Sequence, residues 1–279
     1  MRGTMLRTRI ITAFVLLFGL LAALFLLPSA GWLVFCALVC GGAAWEWGAL
    51  ARFAPALRIV FALFTGSFCL ITGALAGLGA GNVPAAPVLV PLYLVSALFW
   101  VLCVPLWLRG KWSLSSVGVG AVVGLVVMVP PALALAHLRE LGPWFLLGVM
   151  AMVWIADIAA YFSGRAFGRH KLAPAISPGK TWEGAFGAAL GVTVFGYLLL
   201  GVVGFDAFPA WVVYLALPAL IGFTAVSIIG DLFESLLKRQ AGMKDSGSVL
   251  PGHGGILDRI DSLTSTLPMA GLLLLWLAR

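Results

Sequence analysis

Charge is what this sequence has least of. Its 279 residues include 17 lysines and arginines and 10 aspartates and glutamates, so that 10% are charged and 62% hydrophobic, with a mean hydropathy of +1.11. An ordinary soluble domain is about 25% charged and 45–50% apolar. So few charges cannot solvate a water-soluble globule of this size, and the lipid bilayer is left as the solvent. Cysteine is scarce as well. Cys36, Cys40, Cys69 and Cys103 all lie in apolar runs with no C-x-x-C, which excludes a disulfide framework and a thiolate zinc site and leaves small packing residues. No basic face with interleaved aromatics stands clear of the apolar runs, so the net charge of +7 does not indicate nucleic acid. There is also no soluble domain, low-complexity tract or internal repeat.

What is present is a succession of long apolar runs. A helix needs about 20 apolar residues to span a bilayer, and runs of that order lie at 10–27, 30–50, 59–78, 87–108, 117–137, 143–163, 184–204, 211–234 and 262–278. The first resembles a signal peptide, with Arg7 and Arg9 ahead of it. It exceeds the usual apolar core of about 7–15 residues and no A-x-A site follows, so it reads as a retained helix. The expected fold is therefore all-α: a polytopic membrane protein of about nine transmembrane helices in a single integral domain, 1–279. N-terminal helices occupy 1–137, and 138–279 forms a catalytic half with polar loops at 164–183 and 238–261. Placing the N-terminus in the cytoplasm leaves only Arg139 and Arg279 of the 17 basic residues on the far side, which favours that orientation and puts both polar loops on the cytoplasmic face. Glycine pairs at four-residue spacing (Gly73 and Gly77, Gly120 and Gly124, Gly187 and Gly191) predict close helix contacts. Trp32, Trp45, Trp47, Trp100, Trp107, Trp112, Trp144, Trp182, Trp211 and Trp276 lie near span ends, as interfacial aromatic belts do.

Ionisable groups within membrane helices are costly and by default functional. Four acids qualify: Glu46, Asp157, Asp231 and Glu234. Glu46, in WEWGAL, is near enough to its span's end to reach the interface, and Asp157 lies one turn before Tyr161. In GDLFESLLKR, Asp231, Glu234, Ser235 and Lys238 recur at i, i+3, i+4 and i+7 and line one helical face. That stripe runs into KRQAGMKDSGSVLPGHGGILDRID, residues 238–261, where Asp258 and Asp261 again share a helical face. Carboxylates gathered at one membrane edge repel unless a cation lies between them, and all-oxygen ligands favour Mg²⁺ or Ca²⁺ over zinc. Pairing with Lys238, Arg239 and Arg259 as a structural ion network is the alternative.

Between those acids lies PGHGG. Gly252, Gly254 and Gly255 permit close backbone approach with inward-turned N–H groups, as in anion nests, and His253 is placed to contact phosphate or move a proton. Lys238, Arg239, Lys244 and Arg259 supply donors to phosphate oxygens. Acids, cations and glycines in this combination suit a polyphosphate with its magnesium. A second anion site is expected at SPGKTWEG, where Ser177, Lys180 and Thr181 precede the start of a helix. Pro174 occupies the position where a P-loop requires glycine, and no strand is expected ahead of it, so a Walker fold is excluded.

Ser235, Lys238-Arg239, Lys244-Asp245, Pro251, His253-Gly254-Gly255, Asp258-Arg259 and Asp261 together resemble the C-terminal motif of the phosphatidate cytidylyltransferase (CDP-diacylglycerol synthase) family, with no departure at any motif position. GRHKLAPAISPGKTWEG resembles that family's cytoplasmic loop, whereas residues 1–150 contribute only hydropathy. The resemblance implies transfer of a cytidylyl group from CTP to phosphatidic acid, giving CDP-diacylglycerol and pyrophosphate with Mg²⁺, and with room for a second cation. It implies a metal site built from Asp231 and Asp258 with Asp261 close by, and catalytic roles for Lys238, Arg239, Lys244 and Arg259. Ser177, Lys180, Thr181, Ser235, Gly252, His253, Gly254 and Gly255 would bind substrate. The implied setting is a helical protein of a bacterial inner membrane, in contact with membrane lipids and open to homodimerisation. Three other readings stand beside this one. A CTP-dependent polyprenol kinase would release CDP instead of pyrophosphate. A CDP-alcohol phosphotransferase is disfavoured by the lack of a D-G-x-x-A-R run. A transporter would use Asp157, Asp231 and Glu234 as coupling sites, but the charges crowd one membrane edge and not its midplane.

Overall fold

The computed structural model describes residues 2–81, 85–207 and 209–277. Arg279 and the side chains of Arg2 and Arg9, all used in the charge count, lie outside the described residues. The nine apolar runs become helices: α1 (Arg2–Leu26), α2 (Ser29–Leu50), α3 (Pro55–Leu75), α4 (Ala86–Leu98) continuing into α5 (Val104–Gly110), α6 (Val117–Arg139), α7 (Pro143–Phe167), α8 (Trp182–Val203), α9 (Ala210–Ala241) and α10 (Leu257–Leu277). The break between α4 and α5 is a π turn at Phe99–Cys103. Pro105, two residues past Cys103, has no N–H to continue the regular ladder, so the helix widens there. Among the described residues eight helical segments are long and apolar enough to cross a membrane, counting α4–α5 as one, and α1 adds the shorter apolar stretch Ile10–Leu26. The chain is an all-α integral membrane protein.

Helices α2, α3 and α6 pack together, α7 packs against α8, and α9 and α10 join the two groups: α10 touches α4 and α6 on one side and α9 on the other. One apolar core extends from Leu24 to Leu275, and a small separate cluster of Ala156, Ala188 and Val192 lies between α7, α8 and α9. The glycine spacings act as contacts in most cases. A Cβ at Gly187 would clash with Ser163, and one at Gly191 with Ala159, so these two positions set the close approach of α7 and α8. Gly77 departs from the expectation. It has φ +78° and lies in the turn after α3, one residue past the C-cap Ala76.

The tryptophans separate into two groups. Trp112, Trp144, Trp182, Trp211 and Trp276 are exposed on the outside of the bundle, whereas Trp32, Trp47, Trp100 and Trp107 are buried core. Trp47, Trp100 and Trp107 all pack on Phe233 of α9. Proximity to a span end does not distinguish a lipid-facing from a bundle-facing position, so the belt expectation holds for only part of the set.

The connections alternate between two ends of the bundle. At one end, Arg52 after α2 donates to the Gln240 carbonyl of α9 at 2.6 Å, and the Gln240 amide donates to the carbonyls of Lys111 and Trp112 after α5, both at 2.9 Å. At the other end, Arg139 donates to the carbonyls of Leu24 and Leu27, and Glu140 accepts from Gly79 N–H. The segment between α7 and α8 is a short antiparallel hairpin, β1 (Lys171–Ala173) with β2 (Ser177–Thr181), so the Gly-Lys-Thr triplet lies on a strand where the sequence suggested none. Pro174 still excludes a P-loop.

Candidate active site

The polar stripe on α9 has the predicted geometry. The helix runs unbroken for 32 residues, about 48 Å at ~1.5 Å per residue, and so carries its charged C-terminal turns well past a ~30 Å hydrocarbon layer. Along it Ser235 Oγ donates to Asp231 Oδ1 at 3.2 Å, and Lys238 Nζ forms an ion pair with Glu234 at 3.4 Å. Lys238 also reaches Asp258 Oδ1 at 2.7 Å, tying α9 to the start of α10. From the hairpin, Lys180 Nζ pairs with Asp231 Oδ2 at 2.5 Å. Asp157 and Asp261 lie within electrostatic range of Asp231. The two polar loops, far apart in sequence, thus meet on a single strip of acids and lysines.

Two cavities flank this strip. The first, of about 500 Å³, lies between α7, α8, α9 and the hairpin, with Asp157, Arg165, Ser177, Lys180, Thr181 and Asp231 among small apolar residues of the helices. Thr181 also N-caps α8, its hydroxyl accepting from Gly184 N–H at 3.1 Å. The second cavity, of about 540 Å³, lies within the loop between α9 and α10, lined by Lys244, Asp245, Ser248, Gly252, His253 and Arg259. It owes its shape to the PGHGG turn. Gly252 and Gly254 adopt φ +75° and +82°, conformations that favour glycine, and Leu250 N–H closes the turn on the Gly254 carbonyl at 2.9 Å. Arg259 clamps the turn by donating twice to the His253 carbonyl.

Several predicted roles are redistributed. Gly255 N–H, expected to be available for phosphate, donates at 2.8 Å to Asp258 Oδ2, which also accepts from Ser246 N–H and Ser246 Oγ. With Lys238 on Oδ1, Asp258 has four donors, about the full capacity of a carboxylate. Arg239 is exposed and lines neither cavity. Asp231, Asp258 and Asp261 were expected as one metal-binding set. Among the described residues no three His, Cys, Asp or Glu side chains converge to hold a metal ion. Lysines take two of the positions instead, Lys180 on Asp231 and Lys238 on Asp258. The donor set nevertheless suits a hard cation: it is all oxygen, and both carboxylate oxygens of the buried Glu234 lack a hydrogen-bond partner.

The residue that sequence reasoning missed is Glu46. Its position suggested a side chain reaching the membrane interface, but it is only 1% exposed, lodged beneath the loop between α9 and α10. Oε1 accepts from Ile256 N–H at 2.9 Å, and Oε2 accepts from Leu257 N–H at 2.8 Å and Ser246 Oγ at 3.0 Å. A methyl group at Gly247 or Gly255 would run into this carboxylate, which accounts for glycine at both positions. The available signal was an acid in a span otherwise free of charge.

Comparison with known proteins covers nearly the whole chain. Residues 7–277 match the family model described as the cytidylyltransferase family. The chain is 40% identical over 277 residues to a phosphatidate cytidylyltransferase of Pseudomonas aeruginosa, covering 98% of both chains. It is 34% identical to one of Haemophilus influenzae over 95% of this chain and 96% of that one. One from Brucella suis is 47% identical over 138 residues, about half of each chain.

Proposed function

Since this chain belongs to the cytidylyltransferase family, we propose that it transfers a cytidylyl group from CTP to phosphatidic acid, giving CDP-diacylglycerol and pyrophosphate. The observation that carries this reading is the strip of acids and lysines joining two cavities of different surroundings. The cavity at Lys180 is walled by membrane helices and suits a lipid phosphate whose chains stay in the bilayer. The loop cavity at Lys244, His253 and Arg259 is polar and suits the triphosphate of a nucleotide arriving from water. The end of the bundle that carries both also collects Arg52, Lys111 and the loop lysines, which supports a cytoplasmic orientation and, for a bacterial chain, the inner membrane.

The chemistry requires no strong base. A phosphate monoester has a second pKa near ~6, so phosphatidate carries a nucleophilic oxygen at neutral pH. That oxygen attacks the α-phosphorus of CTP. The new P–O bond forms as the bond to the β-phosphate bridging oxygen breaks, and pyrophosphate leaves. What the protein must supply is electrostatic, because two anions approach one another and charge builds on the leaving group. Lys180 holds the lipid phosphate, Lys244 and Arg259 hold the departing pyrophosphate, and Lys238 spans the gap. Mg²⁺ is commonly held by one or two carboxylates together with substrate phosphates. Asp231, Asp261 and Asp258 are the protein donors that would receive it once Lys180 and Lys238 turn to the phosphates, and it would neutralise phosphate charge.

The test is pyrophosphate release by the purified chain in detergent. Release requiring CTP, phosphatidate and Mg²⁺ together is the expected result. CDP without pyrophosphate would make the protein a kinase, and absence of nucleotide turnover by folded, lipid-supplied protein would overturn the enzyme reading.

A further inference from the structure

The catalytic loop is held at both stems by the N-terminal helices, a region from which the proposed chemistry takes nothing. At its first stem Arg52 lies on the Gln240 carbonyl at the C-terminal end of α9, and at its second the Glu46 carboxylate lies on the free N–H groups that begin α10. Both contacts carry the sign that a helix end favours, a cation at the carbonyl end and an anion at the N–H end. Glu46 is the more consequential of the two because it is buried and because of Ser246. The Ser246 hydroxyl stands 3.0 Å from Glu46 Oε2 and 3.0 Å from Asp258 Oδ2. One hydroxyl proton serves one carboxylate at a time, so the orientation of Asp258 is set partly by Glu46.

We propose that Glu46 is a positioning residue for catalysis, touching no substrate: it fixes the start of α10 and Ser246 so that Asp258 and Lys238 face the reacting phosphates. This rests on the cytidylyl-transfer reading for its kinetic consequence but not for its structural one. Glu46→Gln keeps the size of the side chain. Its amide can accept through one oxygen only, and in either orientation its NH₂ faces a backbone N–H, that of Ile256 or that of Leu257. The loop loses at least one tether and gains a donor–donor clash.

The experiment uses the full chain in detergent and compares wild type, Glu46→Gln and Trp47→Phe. Trp47 neighbours Glu46 on α2 and donates to the Gly120 carbonyl at 2.8 Å, so Trp47→Phe removes a hydrogen bond and some packing without removing a contact to the loop. Three quantities are measured: kcat and both KM values, the rate of trypsin cleavage after the exposed Lys244, and the unfolding midpoint. For Glu46→Gln we expect kcat to fall by ~10-fold or more, as loss of a charge-assisted hydrogen bond implies, with KM for phosphatidate little changed. Cleavage after Lys244 should accelerate several-fold well below the unfolding midpoint. Trp47→Phe should lower the midpoint yet keep the wild-type kcat and cleavage rate. If Glu46→Gln does not accumulate, Ser246→Ala carries the test, with a smaller fall in kcat and the same faster cleavage. Wild-type kcat and cleavage in the Glu46 variant would overturn the proposal, as would losses that Trp47→Phe reproduces at an equal drop in midpoint. Should the wild type release no pyrophosphate, the functional reading fails, and the cleavage comparison still decides the role of Glu46.

Discussion

Two buried glutamates lie on opposite sides of the same loop in opposite conditions. Glu46 is 1% exposed and receives two backbone hydrogen bonds and a share of the Ser246 hydroxyl, whereas Glu234 is 4% exposed and has the Lys238 ammonium at 3.4 Å and another acid, Asp261, beside it. Burial of a charge is costly in both places, but the first is offset by hydrogen bonds, two of them from the backbone, and the second is not. A saturated carboxylate belongs to the framework, because any movement breaks several bonds at once. Under the proposed reaction an unsaturated one, next to Asp261 and Lys238, belongs to the part of the molecule that would rearrange its charges when phosphates and their cation arrive. The contrast separates the holder of the loop from the site that the loop serves.

Asp258 takes part in both regions, through Ser246 on the Glu46 side and Lys238 on the Glu234 side, and its loss should be the most severe. Asp258→Asn is expected to lower pyrophosphate release by ~10²–10³-fold, the range for removing a transition-state electrostatic contact. Retained activity would separate the two regions altogether. Glu234→Gln sharpens the comparison. With no backbone or hydroxyl donor to lose and one buried charge fewer, the variant should unfold at or above the wild-type temperature, yet it should require several-fold more Mg²⁺ for half-maximal rate. An unchanged Mg²⁺ requirement would reduce Glu234 to a counter-ion of Lys238. Gly247→Ala tests the Glu46 side by crowding its carboxylate, at an expected cost of ~1–3 kcal/mol in unfolding stability. Gly242→Ala, also in the loop but with open space around it and φ +74°, should cost about 1 kcal/mol through backbone strain alone. Thermal unfolding of the two variants side by side measures the difference.

Much of the site was legible as spacing. Asp231, Glu234, Ser235 and Lys238 at helical intervals predicted a polar stripe, and α9 supplies it. Helix geometry is local, so residue numbers alone place these side chains on one face. The pairing of Lys180 with Asp231 was not legible, because it joins the hairpin to α9, and their approach depends on how α7, α8 and α9 pack. Nor was the capture of Gly255 N–H by Asp258. A glycine-rich turn offers donors to any anion within reach, and the nearest is the protein's own carboxylate. The buried tryptophans were misread for a related reason, since hydropathy records depth in the membrane and carries no information about which side of a helix faces lipid.

By itself the sequence determined that the chain lives in a bilayer, roughly how many helices cross it, and which connections are polar and basic. Each follows from composition or from periodicity along one segment, where the backbone's own geometry makes the connection. The tertiary structure alone decided that Glu46, some 200 positions from the loop it holds, sits beneath Ser246 and the start of α10. A buried carboxylate goes where donors converge on it, and those donors exist only once α2, α9 and α10 have packed.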